Sequence, residues 1–466
     1  MSVAEATPDR EQADRNDRAF LGHPKGLGYL GFTEGCERFS YYSMQTLLTL
    51  YMVNYLLVPG RMDKVIGLDW LQAHVYHGIS GQPLASAIFG TYTSLVYFTP
   101  IFGGIVADRW LGRDRTLIIG GVLMAIGHFL MAIESAFVFA LLALLFGVGA
   151  FKGNIATQVG ALYRPNDLRR AMAFQIFYIF INVSVIIAPL ISGTLGQKVG
   201  WHYGFGCAGV VMVLGLIIYL SGRRHLPAEE LRAPSEEPKL REPLVRNDWM
   251  CVIYLIILIP VMAIALLTNQ EIFNAYLVWG DRQFDLRMLN NTSSWLITLD
   301  AALSFSMLVA VAAFWKWWSV KHREPDELSK MIIGSFFTIA GGVCLFMAAL
   351  TQPHGGKVPL FWPVMFHLMN SIGFAHVLPI SLALFSKIAP KQLSATVIGL
   401  YYLSFFIANA IVGYVGGLYS SLPTTTFWLI HVASAAFGLV AFAIFKLVLG
   451  KHMSGTGVRE QAEALS

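Results

Sequence analysis

Apolar residues fall along the chain in twelve long blocks, approximately 28–57, 84–107, 116–134, 136–160, 171–197, 203–221, 248–279, 292–318, 330–350, 358–386, 393–420 and 424–449. Each is long enough to cross a hydrocarbon layer of about 30 Å as a helix, and the polar stretches between most of them are short. The pattern predicts an all-α polytopic membrane protein with twelve transmembrane helices. One interval stands apart. Residues 222–247 hold Pro227, Pro234, Pro238 and Pro243 among charges of both signs, a composition that buries no core and reads as a linker. The chain then divides into an N-terminal tail (1–25), a six-helix bundle (26–221), the linker, a second six-helix bundle (248–450) and a C-terminal tail (451–466).

Composition agrees: 56% of residues are hydrophobic, 13% are charged, and mean hydropathy is +0.59. The net charge of +5 is a topology signal, and nothing in it calls for a nucleic acid. Of the 33 Lys and Arg residues, 25 lie in the termini and even-numbered connections, against Arg61, Lys64, Lys198, Arg282, Arg287 and Lys357 in the odd-numbered ones. Both termini are therefore expected in the cytoplasm. The first 20 residues are polar and lack an apolar core with a cleavage site, so the tail is expected to be disordered and the first membrane helix to direct insertion. Cys36, Cys207, Cys251 and Cys344 have no metal-ligand spacing and read as packing residues.

Two basic residues, Arg38 and Lys152, lie deep inside the apolar blocks, whereas Lys316, Lys330 and Lys446 sit at block ends. Arg38 belongs to the segment Glu34-Gly-Cys-Glu37-Arg38-Phe-Ser-Tyr41-Tyr42 in the first block. A charge at mid-bilayer costs at least about 2.5–3.5 kcal/mol, so these groups must face protein or water. On a helix, Glu34, Glu37, Arg38 and Tyr41 fall at i, i+3, i+4 and i+7, one polar stripe with Tyr42 at its margin. Lys152 needs a carboxylate partner, and Glu34 and Glu37 are available. Two carboxylates beside two cations allow one to take up a proton and so release a cation for a substrate carboxylate. A purely structural salt-bridge cluster is the alternative.

The two six-helix halves resemble the architecture of the major facilitator superfamily, in which access alternates as one half rocks against the other. The connection after the second block, Gly103-Gly-Ile-Val-Ala-Asp108-Arg109-Trp-Leu-Gly112-Arg113, resembles that superfamily's signature loop. There the glycines allow close helix approach, Asp108 caps or pairs, and Arg109 and Arg113 stay at the cytoplasmic surface. A plain basic loop would leave the glycines and Asp108 without a role. The segment 34–42 matches the ExxERFxYY signature, and with Phe151-Lys152-Gly-Asn-Ile155, Val159-Gly-Ala-Leu-Tyr163, Phe177-Tyr178 and Ile181-Asn182 the N-terminal half resembles the proton-dependent oligopeptide transporter family. The resemblance implies that Glu34, Glu37, Arg38 and Lys152 couple proton and peptide binding. It also favours Tyr41, Tyr42 and Asn182 as hydrogen-bonding cavity residues. Tyr97 and Tyr178 are further candidates, although Tyr92 and Tyr97 lie about 140° apart on a helix and cannot both face inward.

The C-terminal half departs from that family's pattern. An arginine three residues beyond the Tyr pair, an acid before glutamine on span 7 and a glutamate before a proline on span 10 are expected. Here stand Gln45, Asn269 before Gln270, and Phe374 to His376 before Pro379, so two amides replace the outer gate's charge pair. Glu271 and Asp300 are candidate counter-charges for a substrate ammonium, with helix capping the alternative for Asp300. His376 is either a second proton site or a packing residue. The expectation is a proton-coupled symporter of di- and tripeptides in a bacterial inner membrane, driven by the proton gradient without a cofactor and working as a monomer. A carrier of another anion or zwitterion, such as nitrate or a modified amino acid, is the alternative. A hydrolase lacks its nucleophile elbow or metal-ligand pair, and a non-transporting receptor leaves the charge stripe unexplained.

Overall fold

The computed structural model describes residues 17–164, 167–226, 246–390 and 393–463. Tail residues 1–16 and linker residues 227–245 therefore lie outside the described residues. The principal helices are α1 (Lys25–Tyr51), α2 (Gly81–Val106), α3 (Arg113–Leu130), α4 (Phe137–Ala161), α5 (Arg169–Ala188), α6 (Trp201–Gly222), α7 (Arg246–Ala265), α8 (Trp295–Ser319), α9 (Glu327–Leu350), α10 (Phe361–Ile388), α11 (Ser394–Gly417) and α12 (Thr424–Glu463). No strand occurs among the described residues.

Ten of these helical segments are long and apolar enough to cross a membrane, and the protein is a multi-pass membrane protein. The two that fall short are α1 and α3. Helix α1 is lowered by its internal charges and its Gly, Ser and Thr content, and α3 opens on Arg113, Asp114 and Arg115. Local sequence explains several boundaries. Pro24 precedes the first turn of α1, where a missing N–H costs nothing. Asp326 caps α9 by accepting from the Ser329 amide at 2.7 Å. Two expected segments differ. The seventh block is interrupted: after Ala265 come short turns Leu267–Gln270 and Glu271–Phe273, and helix resumes at Ala275–Gln283. In the expected C-terminal tail, α12 continues to Glu463.

The chain forms two compact units: Met1–Ala85 with Leu95–Glu237 and Thr292–Thr298, and Ser86–Ser94 with Pro238–Asn291 and Leu299–Ser466. In the first, α1 packs on α5 and α6, and α3 on α4 and α6. Gln197 binds Ser293 at 2.6 Å and Trp295 donates to Thr194 at 2.9 Å, joining residues 292–298 to this unit. In the second, α9 packs on α10 and α12, and α7 on α11 and α12, around buried Tyr276, Trp279, Phe366 and Trp428. Ser86 donates to Asn274 at 2.9 Å in this unit.

The signature segment behaves as a packing device. Gly112 has φ 80° and ψ 162°, a turn that a side chain would strain. At Gly103 the backbone of α2 lies so close to α4 that a Cβ would stand 2.0 Å from the Gly149 carbonyl oxygen, whereas a Cβ at Gly104 would meet nothing within 4 Å. Such backbone proximity replaces the hydrophobic drive that helices lack in lipid. Gly103→Ala is expected to cost about 1–3 kcal/mol by forcing the helices apart, and Gly104→Ala to cost nothing. Thermal melting of the purified variants tests this, and equal melting temperatures would remove the close-packing role.

Candidate functional site

The first unit gathers the predicted charge stripe. Glu34, Glu37 and Arg38 are buried, at 5%, 0% and 5% exposure. The Arg38 guanidinium lies 3.0 Å from Glu34 Oε1 and also pairs with Glu37. The same guanidinium sits 5.2 Å from the centre of the Tyr41 ring, and Tyr42 packs edge-on against Tyr41. Glu34 Oε2, Glu37 Oε1 and Arg38 Nη2 are buried without a hydrogen-bond partner. Buried polar atoms are ordinarily satisfied, so these three stand out as hydrogen-bonding groups that the described residues leave unmet.

Lys152 on α4 comes to the same cluster, but without the direct ion pair expected for it. Among the described residues no carboxylate lies within 4.0 Å of Nζ. Its ammonium instead stands 4.6 Å from the Tyr97 ring centre and 6.0 Å from that of Tyr41, within electrostatic reach of both glutamates and of Arg38. Arg38 wins the carboxylates because it shares their helix turn and its planar fork serves two acceptors together. The Lys152 side chain sits beside π faces, an arrangement worth about 0.5–2 kcal/mol to a cation. Tyr97 thus belongs to this cluster, whereas Tyr92 lies in the 86–94 stretch of the other unit. On α5, Tyr178 is half-exposed within electrostatic reach of Tyr42, and half-buried Asn182 donates to the Tyr178 carbonyl at 2.8 Å. Gln45 is buried on α1.

At the signature turn, Arg113 reaches Asp108 at 3.4 Å with both side chains partly exposed, and Arg109 follows Asp108 on the same turn. The stronger contacts are made by Asp114, which sequence reading missed. It accepts from the Tyr219 hydroxyl at 2.8 Å and from Arg223 at 2.5 Å, and Gln158 donates to Tyr219 at 2.8 Å. This network ties α3, α4 and α6. No local spacing announces it, since its members lie 44 to 109 positions apart from Asp114. Outside the spans, hydrogen bonds from Arg169 hold Asp167 below the usual carboxylate range, and those from Arg287 hold Asp285 at about 2.

In the second unit, Asn269 accepts from Gln270 at 3.1 Å, and Asn409 donates to Gln270 at 3.3 Å. Asn269 also lines a small cleft with Ser335, Thr338, Asn370 and Phe374. The two acids differ. Glu271, fully buried, accepts from Asn274 and from the Ala275 amide, each at 3.0 Å, and lies 3.7 Å from His431. Asp300, with 14% of its side chain exposed, pairs with His367 at 2.9 Å, and the other His367 nitrogen meets the Tyr276 hydroxyl at 2.7 Å. Sequence reading missed His367, although an intramembrane histidine and an intramembrane acid in one half each demand a partner. His376 takes its packing reading: Nε2 accepts from Trp315 at 3.1 Å, and Nδ1 meets the Ile372 carbonyl at 2.9 Å.

The Arg38 cluster generates a stability test. Arg38→Leu leaves two buried carboxylates uncompensated and is expected to cost about 3–5 kcal/mol. Adding Glu34→Gln and Glu37→Gln is expected to restore most of the loss, because the three charges form one coupled set. If the triple variant melts as low as the single one in detergent, charge balance is not what Arg38 supplies.

The sequence profile of the Major Facilitator Superfamily matches residues 36–413. The Di-/tripeptide transporter of Lactococcus lactis subsp. cremoris is 27% identical, with 94% of this chain and 98% of that protein covered. The uncharacterized transporter YclF of Bacillus subtilis (strain 168) is 29% identical, with 88% and 91% covered. A crystal structure of a mutant peptide transporter POT superposes with a TM-score of 0.79 at 26% identity, covering 93% of this chain and 97% of that one. The same transporter in complex with sulfate gives 0.81 at 25% identity, covering 95% and 99%.

Proposed function

The chain belongs to the Major Facilitator Superfamily, and on that premise we propose that it is a proton-coupled symporter that imports di- and tripeptides by alternating access. The observation that carries this reading is a single guanidinium holding two buried glutamates beside a lysine that, among the described residues, no carboxylate contacts within 4.0 Å. A permanent structural cluster would have paired its charges fully. Here a proton on Glu37 or Glu34 removes one negative charge from Arg38, whose freed attraction, with that of Lys152, becomes available to a substrate carboxylate. Proton and peptide then bind favourably together, which is the thermodynamic content of symport. Tyr41, Tyr42 and Tyr97 add neutral hydroxyls that recognise peptide backbone without reading side chains. The names of the full-length relatives support the same substrate class.

The excess of Lys and Arg in the termini and even-numbered connections supports a bacterial inner membrane location with both termini cytoplasmic. We assign the working unit to the monomer, with protons and short peptides as its partners and the proton gradient as its driving force. The central experiment is uptake of labelled dialanine into proteoliposomes with and without an inward proton gradient. Accumulation that ignores the gradient would sink the symport reading.

Two variants refine it. Glu37→Gln is expected to abolish gradient-driven accumulation while some exchange at equal pH persists. Accumulation against a concentration gradient in that variant would take Glu37 out of the proton path. Lys152→Ala is expected to insert and purify yet lose concentrative uptake. In the wild type, a dipeptide amidated at its C-terminus should compete at least about tenfold more weakly than the free acid, a charge-assisted contact being worth about 1.5–3 kcal/mol. Equal competition would refute the contact between cation and carboxylate.

A further inference from the structure

The second unit contains a buried polar chain that the reading above does not use. Asp300 on α8, His367 on α10 and Tyr276 on the helix Ala275–Gln283 form a continuous line of hydrogen-bonding atoms, 2.9 Å and 2.7 Å long at its two steps. His367 and Tyr276 are fully buried, whereas 14% of the Asp300 side chain is exposed. We propose that His367, held between Asp300 and Tyr276, is a second proton-binding site of the transport cycle, with Asp300 as the group through which the proton enters.

The geometry accommodates both protonation states. With neutral His367 carrying its proton on Nε2, Nε2–H donates to the Tyr276 hydroxyl oxygen and Nδ1 faces Asp300 without a proton of its own. A proton taken from water at Asp300 passes to Nδ1, leaving an imidazolium that donates through Nδ1 to Asp300 and through Nε2 to Tyr276. The pair passes from a net charge of −1 to zero, and release to water reverses the step. No heavy atom must move. Among the described residues His367 is also the one ion-pair partner of Asp300, so without that proton the bundle holds a carboxylate with no counter-charge, a costly state in a low dielectric.

Among the described residues the surroundings supply no competing cation. On α12, the His431 ring lies 5.0 Å from Trp428 at a tilt and faces Glu271, and Trp428 meets the Tyr276 ring at 6.2 Å. On α9 the charges Glu327 and Lys330 are engaged with Lys387 and Glu324. On α10 itself His376 is occupied by Trp315, and on α11 Tyr401 bonds to Ser381 at 3.1 Å.

This inference rests on the symport reading, so the test separates the two. The full chain is reconstituted and the ratio of protons to dialanine is read from the zero-flux potential, a ratio that reduced activity does not shift. His367→Gln and Asp300→Asn are each expected to lower the wild-type ratio by one proton, and His431→Gln to leave it unchanged. An unchanged ratio in His367→Gln and Asp300→Asn overturns the proposal, as does a loss confined to His431→Gln. A second measurement covers a variant that fails to fold and a wild type that ignores the gradient. It is nitrogen-15 histidine resonance in the wild type and Asp300→Asn between about pH 8 and pH 5. The wild-type His367 ring is expected to become doubly protonated in that range and the Asp300→Asn ring to do so at lower pH. A wild-type ring that stays neutral throughout overturns the proposal even where uptake proves independent of the gradient, which by itself would refute only the symport reading.

Discussion

A charge placed where water is scarce must be answered by another charge, and Arg38 answers two. With Glu34 and Glu37 on its own helix turn, it makes α1 viable in a membrane although that helix is too polar to be counted among the apolar spans. The remainder of the first unit is arranged around this need. Helix α1 is enclosed by α5 and α6, so its polar stripe meets protein and not lipid. The tyrosines at its edge supply polarity without adding charge. Lys152 joins the cluster beside ring faces and not through a carboxylate contact among the described residues.

The second unit solves the same problem with different chemistry. Its two acids within the helical bundle, Asp300 and Glu271, are answered by histidines, His367 for the first and His431 near the second. An arginine is charged under all physiological conditions, whereas an imidazole is charged only while it holds a proton. A carboxylate paired with arginine titrates on its own account. One paired with histidine shares its proton with the partner, and the pair has to be considered together. The two units therefore hold buried negative charge by unlike means, the one permanent and the other conditional.

Much of this was legible in the linear pattern, because apolar length and helical periodicity are local properties. The twelve spans and the stripe from Glu34 to Tyr41 required nothing beyond counting. The glycine contact of α2 with α4 was foreseen as a class of contact, though not its partner Gly149. What the chain did not disclose depends on contacts between distant positions. His367 and Asp300 are 67 residues apart, and Asp114 and Arg223 are 109 apart. The interruption of the seventh span escaped notice because its polar run, Thr268 to Glu271, is only four residues long and apolar sequence flanks it on both sides. There Glu271 and Asn274 satisfy backbone and side-chain groups locally, and a helix pattern gives no sign of that substitution. The partner expected for Lys152 failed for a related reason, since periodicity states which residues share a face and not which of two cations will win the carboxylates.

The compact units are not simply the first and second halves of the sequence. Residues 86–94 are counted with the second unit and 292–298 with the first. A chain severed in the linker would yield two fragments, each lacking a short strip of the unit to which it otherwise corresponds. During synthesis the first six spans would emerge before Ser293 and Trp295 exist to meet Gln197 and Thr194, leaving the earlier bundle unfinished until the eighth span has been inserted. Final assembly of both halves is thereby a late event in the biogenesis of the polypeptide, however early its individual helices enter the bilayer.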